Sequence, residues 1–214
     1  MDEDISAINT SNMNTKIINF INKNKKKIIA GIVILIFLIF SYFILVEINN
    51  RNKIKIADEY NRLKINFNSG KEKDIENAMI EIVYSKDKTY SPLALYFLLD
   101  NNIINSKEKI NRLFDIIIND INLDKEIKNL IIYKKALFNS NHVSENDLLK
   151  ILNPLINSDN IWKSHALFLL GEYFFSKNEN QKAKEFFEKI IILENSSPKI
   201  KLEAQRRIQR DFSE

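Results

Sequence analysis

The 214-residue chain has no cysteine, three glycines, three prolines, one tryptophan and two histidines. Without cysteine there is no disulfide framework and no thiolate metal or redox motif. So few glycines and prolines argue against a sandwich or barrel, which needs many tight turns. Glycines at 31, 70 and 171 are too far apart to form a phosphate loop. His142 and His165 offer almost nothing for metal ligation. An excess of one charge is also missing: 32 basic residues face 28 acidic ones, a net +4. Residues 1–27 hold five lysines and three acids, and residues 47–214 mix both signs. The nearest thing to a basic stripe is Arg206, Arg207 and Arg210, which reads as a solvated helix end rather than a nucleic-acid surface. What is present is 45% hydrophobic residues, enough for a core. The expected class is all-α.

Ile28 to Val46 is an uncharged run of 19 residues. As a helix it spans about 28 Å, close to the hydrocarbon thickness of a bilayer. Tyr42-Phe43-Ile44-Leu45-Val46 is bulky where a signal peptidase requires small residues, so the run reads as an uncleaved anchor. Lys16, Lys23, Lys25, Lys26 and Lys27 precede it, against Arg51, Lys53 and Lys55 after it. That bias predicts a cytoplasmic N-terminus. The expected organisation is a cytoplasmic tail over 1–27, a transmembrane helix over 28–46 and an exported domain over 47–214. In a Gram-negative cell this means the inner membrane with a periplasmic domain. Residues 1–15 read as a mobile polar tail.

Beyond residue 56 one pattern occurs four times, with apolar residues at i, i+3, i+4, i+7 and i+8: the buried stripe of an amphipathic helix. The copies begin at Ile75, Ile110, Leu148 and Ala183, spaced 35, 38 and 35 residues apart. Other helical stretches alternate with them: Ile56 to Phe67; Leu93 to Leu99, with Ser91 as N-cap and Pro92 at the first position; about 124–138, carrying Ile127, Leu130, Ile131, Tyr133 and Leu137; and a stretch carrying Trp162, Ala166, Leu169, Leu170 and Phe174. Twelve residues before each stripe stand Leu63, Leu98, Ala136 and Gly171. Asn68-Ser69-Gly70 reads as a helix end, and Ser144 with Asp147 as a capping box. Pro154 is expected to kink or shorten the third stripe's helix. Ser197-Pro198 opens a closing helix to about 210. Helix pairs at this period predict a solenoid of about four pairs.

In the last pair, Leu170, Gly171, Phe174, Ala183 and Phe187 match in order the small and large consensus positions of a tetratricopeptide repeat. Together with Asn160-Ile161-Trp162-Lys163-Ser164-His165-Ala166 and Leu152-Asn153-Pro154-Leu155, the chain resembles the tetratricopeptide-like family that includes the ancillary SecYEG translocon subunit, most nearly its alphaproteobacterial single-pass form. The resemblance implies a membrane-anchored adaptor beside the translocon, linking exported polypeptides to periplasmic chaperones. Its repeat residues are structural: Trp162, Leu170, Gly171, Phe174, Ala183 and Phe187. The alternative is a structural adaptor in envelope or cell-division assembly that binds one folded partner.

No enzyme and no cofactor are expected. Ser164 and His165 are adjacent on a helix and point about 100° apart, where a nucleophile and its base must meet. His165 reads as a packed or capped histidine. Core packing explains most of the aromatics Tyr173, Phe174, Phe175, Phe186 and Phe187; the alternative for Tyr173 or Phe175, which cannot both face the same side as Phe174, is to line an exposed groove.

Overall fold

The computed structural model describes residues 2–67 and 72–212, and every regular element among them is an α-helix. They are α1 (Asp2–Asn66), α2 (Glu72–Tyr84), α3 (Tyr90–Asp100), α4 (Lys107–Asp120), α5 (Lys125–Asn139), α6 (Glu145–Ile156), α7 (Lys163–Ser176), α8 (Asn180–Ile192) and α9 (Pro198–Asp211). The Asn68-Ser69-Gly70 break lies outside the described residues.

The chain divides into two compact units, residues 1–55 and 56–214. In the first, α1 already runs through the segment expected as a polar tail, from Asp2. It passes through Ile28 and Val46, the ends of the apolar run, without a break. Neither Gly nor Pro occurs between Ser41 and Asn68, so nothing in the sequence interrupts it. This is the one helix among the described residues long and apolar enough to cross a membrane; its best window has a mean hydropathy of 3.0, and none of that window is buried.

The second unit begins with the last turns of α1. The odd-numbered helices touch in succession. Tyr60 of α1 lies 5.6 Å from Tyr90 of α3. Lys134 of α5 sits 4.4 Å over the Tyr96 ring of α3. Tyr133 of α5 stacks on Trp162, at the start of α7, with centroids 5.7 Å apart. Arg207 of α9 reaches Glu172 of α7 at 2.6 Å. Even-numbered helices are linked by ion pairs, Lys109–Glu76 between α4 and α2 at 2.7 Å, and Lys182–Glu145 between α8 and α6 at 3.3 Å.

The four stripes lie on α2, α4, α6 and α8. Their i, i+4 and i+7 positions are buried in every copy: Ile75, Met79, Ile82; Ile110, Phe114, Ile117; Leu148, Leu152, Leu155; Ala183, Phe187, Ile190. Leu63, Leu98, Ala136 and Gly171, twelve residues upstream, are buried as well. The core forms two clusters that meet on α5, where Ile131 belongs to one and Ile132 to the other. Across this junction Asn111 and Asn139 exchange amide hydrogen bonds of 2.7 and 3.0 Å, and Asn139 also donates to the Lys135 carbonyl.

With glycine scarce, other residues take the left-handed positions that follow helices. Lys86, Asn102 and Asn178 have φ of 57°, 52° and 62°. After α7 the Glu179 N–H returns to the Phe174 carbonyl, closing a Schellman-type end. Ser144 accepts the Asp147 N–H and donates its hydroxyl to the Asp147 carboxylate. Pro154 sits inside α6, and the helix ends two residues later at Ile156.

Several expectations need correction. Thr89, not Ser91, precedes α3, and Asp87 accepts the Thr89 and Tyr90 N–H groups. Ser91 is buried and donates to the Ile82 carbonyl, tying α3 to α2. Core packing does account for Tyr173 and Phe175, and the alternative of an open groove is not met. Tyr173 is buried and donates to the Val143 carbonyl, while Phe175 packs against Phe212 beneath the Arg207 guanidinium. The terminal arginines are not simply solvated: the Arg207 side chain is only 12% exposed and pairs with Glu172 and Asp211, while Arg206 pairs with Glu203.

Candidate functional site

The residues matched to the repeat consensus fall into two places. Leu170, Gly171, Phe174, Ala183 and Phe187 are brought together where α7 packs on α8. A Cβ on Gly171 would lie 2.6 Å from Cε1 of Phe187, so the ring occupies the space a larger residue would need. Phe174 stacks on Phe186 with centroids 5.4 Å apart and planes inclined by 4°. These five residues are interior and fix the helix pair. Trp162 stands apart, against Tyr133 of α5.

Trp162 adjoins a surface with exposed apolar side chains. Along α3, Leu93, Tyr96 and Asp100 share one face by helical spacing, and on α5 so do Ile127, Leu130, Lys134 and Leu137. Lys134 over Tyr96 makes the two faces neighbours. Ile127 and Leu137 are 44% and 51% exposed, although the sequence pattern grouped them with buried Ile131. Ile161, just before α7, is exposed beside Trp162. Exposed apolar side chains recur on or just before the odd helices, with Ile65 on α1 and Leu202 on α9, and they also occur at Tyr84 of α2 and Ile192 of α8. The sequence signal was available: these residues are apolar, helically spaced and outside the i, i+4, i+7 core set.

The same helices hold polar atoms without partners. Among the described residues, Tyr96 Oη, Asn129 Nδ2 and Trp162 Nε1 are buried and make no hydrogen bond. Burial, with Asp100 nearby, pushes the Tyr96 phenol up to about 12, so it remains a donor at neutral pH. Burial also raises Tyr133. It lowers His165, whose ring meets Tyr133 edge-on at 5.8 Å and lies 5.2 Å from Trp162. Unpaired donors in an apolar setting are costly.

Ser164 and His165 do not form a nucleophile–base pair. Ser164 is buried and accepts the Ser197 N–H, while His165 faces the aromatic cluster. Among the described residues no group of three or more His, Asp or Glu is placed to hold a metal. What the arrangement offers chemically is contact: apolar area, ring faces, a lysine and buried donors. No family model, curated protein or solved structure matches the chain.

Proposed function

We propose that this protein is a single-pass membrane scaffold whose helical array is a tetratricopeptide-like solenoid and binds other polypeptides through its odd-numbered helices. The observation that carries the reading is the set of exposed apolar residues, Leu93 of α3, Ile127 and Leu137 of α5 and Ile161 just before α7, on neighbouring segments that also hold buried, unpaired donors. Such a face suits an extended segment, whose side chains cover apolar area and whose backbone offers carbonyls. Anchoring confines the scaffold to two dimensions and raises the effective concentration of membrane-associated partners, so weak contacts suffice. In its specific form the protein lies in the bacterial inner membrane with a periplasmic array. There it serves beside the Sec translocon and passes exported polypeptides to periplasmic chaperones.

A photocrosslinking residue at Leu137 tests this in membranes. Crosslinks to translocon subunits and to chains in transit are expected. Recovery of one folded envelope protein alone would replace the adaptor role with an assembly role. Because the chain lacks cysteine, Ser140→Cys reports topology cleanly. Labelling in intact cells is expected, and labelling only after membrane rupture would reverse the orientation.

A further inference from the structure

The two ends of the apolar segment differ in a way that topology alone does not exhaust. Residues 16–27 contain five lysines and no acid. Lys23, Lys25, Lys26 and Lys27 are exposed, and among the described residues none has an acidic partner. The opposite end is compensated. Within residues 47–58, Arg51, Lys53 and Lys55 face Glu47 and Asp58, and Arg51 is bonded to Glu47 at 2.7 Å. One turn further on, Arg62 pairs with Glu59 at 2.6 Å.

Because α1 is helical through this region, the positions of the four lysines follow from its geometry. At about 100° per residue, Lys23 and Lys27 share one side while Lys25 and Lys26 point to the others. They ring the helix rather than forming a stripe. Along the axis they occupy about 6 Å, since each residue rises about 1.5 Å. The polar layer on one side of a bilayer is about 5–7 Å thick. Lys27 immediately precedes the uncharged run, so the ring falls in that layer whenever the run fills the hydrocarbon.

We infer that Lys23, Lys25, Lys26 and Lys27 form a collar that binds the phosphate headgroups of anionic lipids around the helix. The inference rests on the membrane-spanning part of the proposed function. An anionic lipid at this depth meets unpaired ammonium groups from any direction, while its acyl chains lie against the apolar run. Basic residues beside a membrane favour anionic lipid by roughly fivefold each. Nucleic acid is the less suitable polyanion, because it would have to approach within a residue of the hydrocarbon and past lipid charges of its own sign.

The test uses the full-length chain in detergent micelles, offered equal amounts of phosphatidylglycerol and phosphatidylcholine, with bound lipids counted by native mass spectrometry. A severalfold preference for phosphatidylglycerol is expected, weakened by salt and unaffected by millimolar inorganic phosphate. Lys23→Gln/Lys25→Gln/Lys26→Gln/Lys27→Gln should bring the ratio near parity, and Lys53→Gln/Lys55→Gln should leave it unchanged. Equal binding of both lipids by the unmodified chain, a preference that survives the quadruple substitution, or suppression by free phosphate would overturn the collar. So would tighter binding to an oligonucleotide than to lipid. A chain that washes off bilayers at alkaline pH defeats the membrane reading as well. One that stays but shows no headgroup preference defeats the collar alone.

Discussion

The apolar run of α1 and the core of the helical array use the same residues to opposite ends. Phe37 in the run is 70% exposed, whereas Phe187 in the array is fully buried. Isoleucine, leucine and phenylalanine dominate both. The difference lies in the pattern. Apolar residues on every side of a helix leave no face for water, so the run is long and apolar enough to be covered by lipid. Apolar residues confined to i, i+4 and i+7 leave charged flanks, so each stripe is buried against a neighbouring helix instead. Composition therefore sets how much apolar area exists, and periodicity sets which medium covers it.

Identical substitutions in the two regions sharpen that contrast. Phe187→Ala should cost about 3–5 kcal/mol in the stability of the array, read as a lower denaturant midpoint of the full-length chain in micelles. Phe37→Ala should leave the same midpoint unchanged, because lipid or detergent fills the space. Leu38→Arg works in the other direction. It should weaken membrane insertion by about 3 kcal/mol, seen as protein released by alkaline washing, without altering the array's unfolding. If Leu38→Arg lowered the array's stability instead, the two regions would not be independent. Gly171→Val should cost about 1–3 kcal/mol, since the added side chain meets the Phe187 ring inside van der Waals distance; a neutral result would mean that the α7–α8 seam is loose.

The smallest effect is a pH dependence. Burial holds His165 below its ordinary value near 6.5. The unfolded chain then takes up a proton at a higher pH than the folded one. Stability from this group is present above about pH 6.5 and falls as the pH drops through that value, levelling off below the folded-state pKa. His165→Gln should flatten the slope measured between pH 7.5 and 5.5. An unchanged slope would assign it to other groups.

Much of the array was legible because twelve stripe positions and the four residues upstream of them are apolar or small at fixed spacing, and burial requires that. The Ser144 cap was legible because a hydroxyl three residues before a free N–H reaches it locally. Ser91 was misleading for a related reason. It stands before a proline as a cap would, yet the helix starts earlier, at Tyr90, where Asp87 accepts the Thr89 and Tyr90 N–H groups, and Ser91 is left inside it to bond α2. The unbroken path of α1 left only a negative signal, the lack of Gly and Pro after the span. The candidate face was least legible. Ile127 and Ile131 are the same chemistry four residues apart, and only the positions of α3 and α7 decide which of them is covered. The α7–α8 seam was legible through Gly171, whose missing side chain marks a close approach.

The paired amides of Asn111 and Asn139 give the junction between the two clusters a further property. Oily surfaces slide over one another at little cost, so the greasy seam between α4 and α5 does not by itself choose one alignment. Shifting either helix by a single turn would break both interhelical amide bonds and leave the Oδ1 of buried Asn139 without its partner, at about 1–3 kcal/mol. The pair therefore acts as an index mark that sets how the front half of the array is phased against the back half.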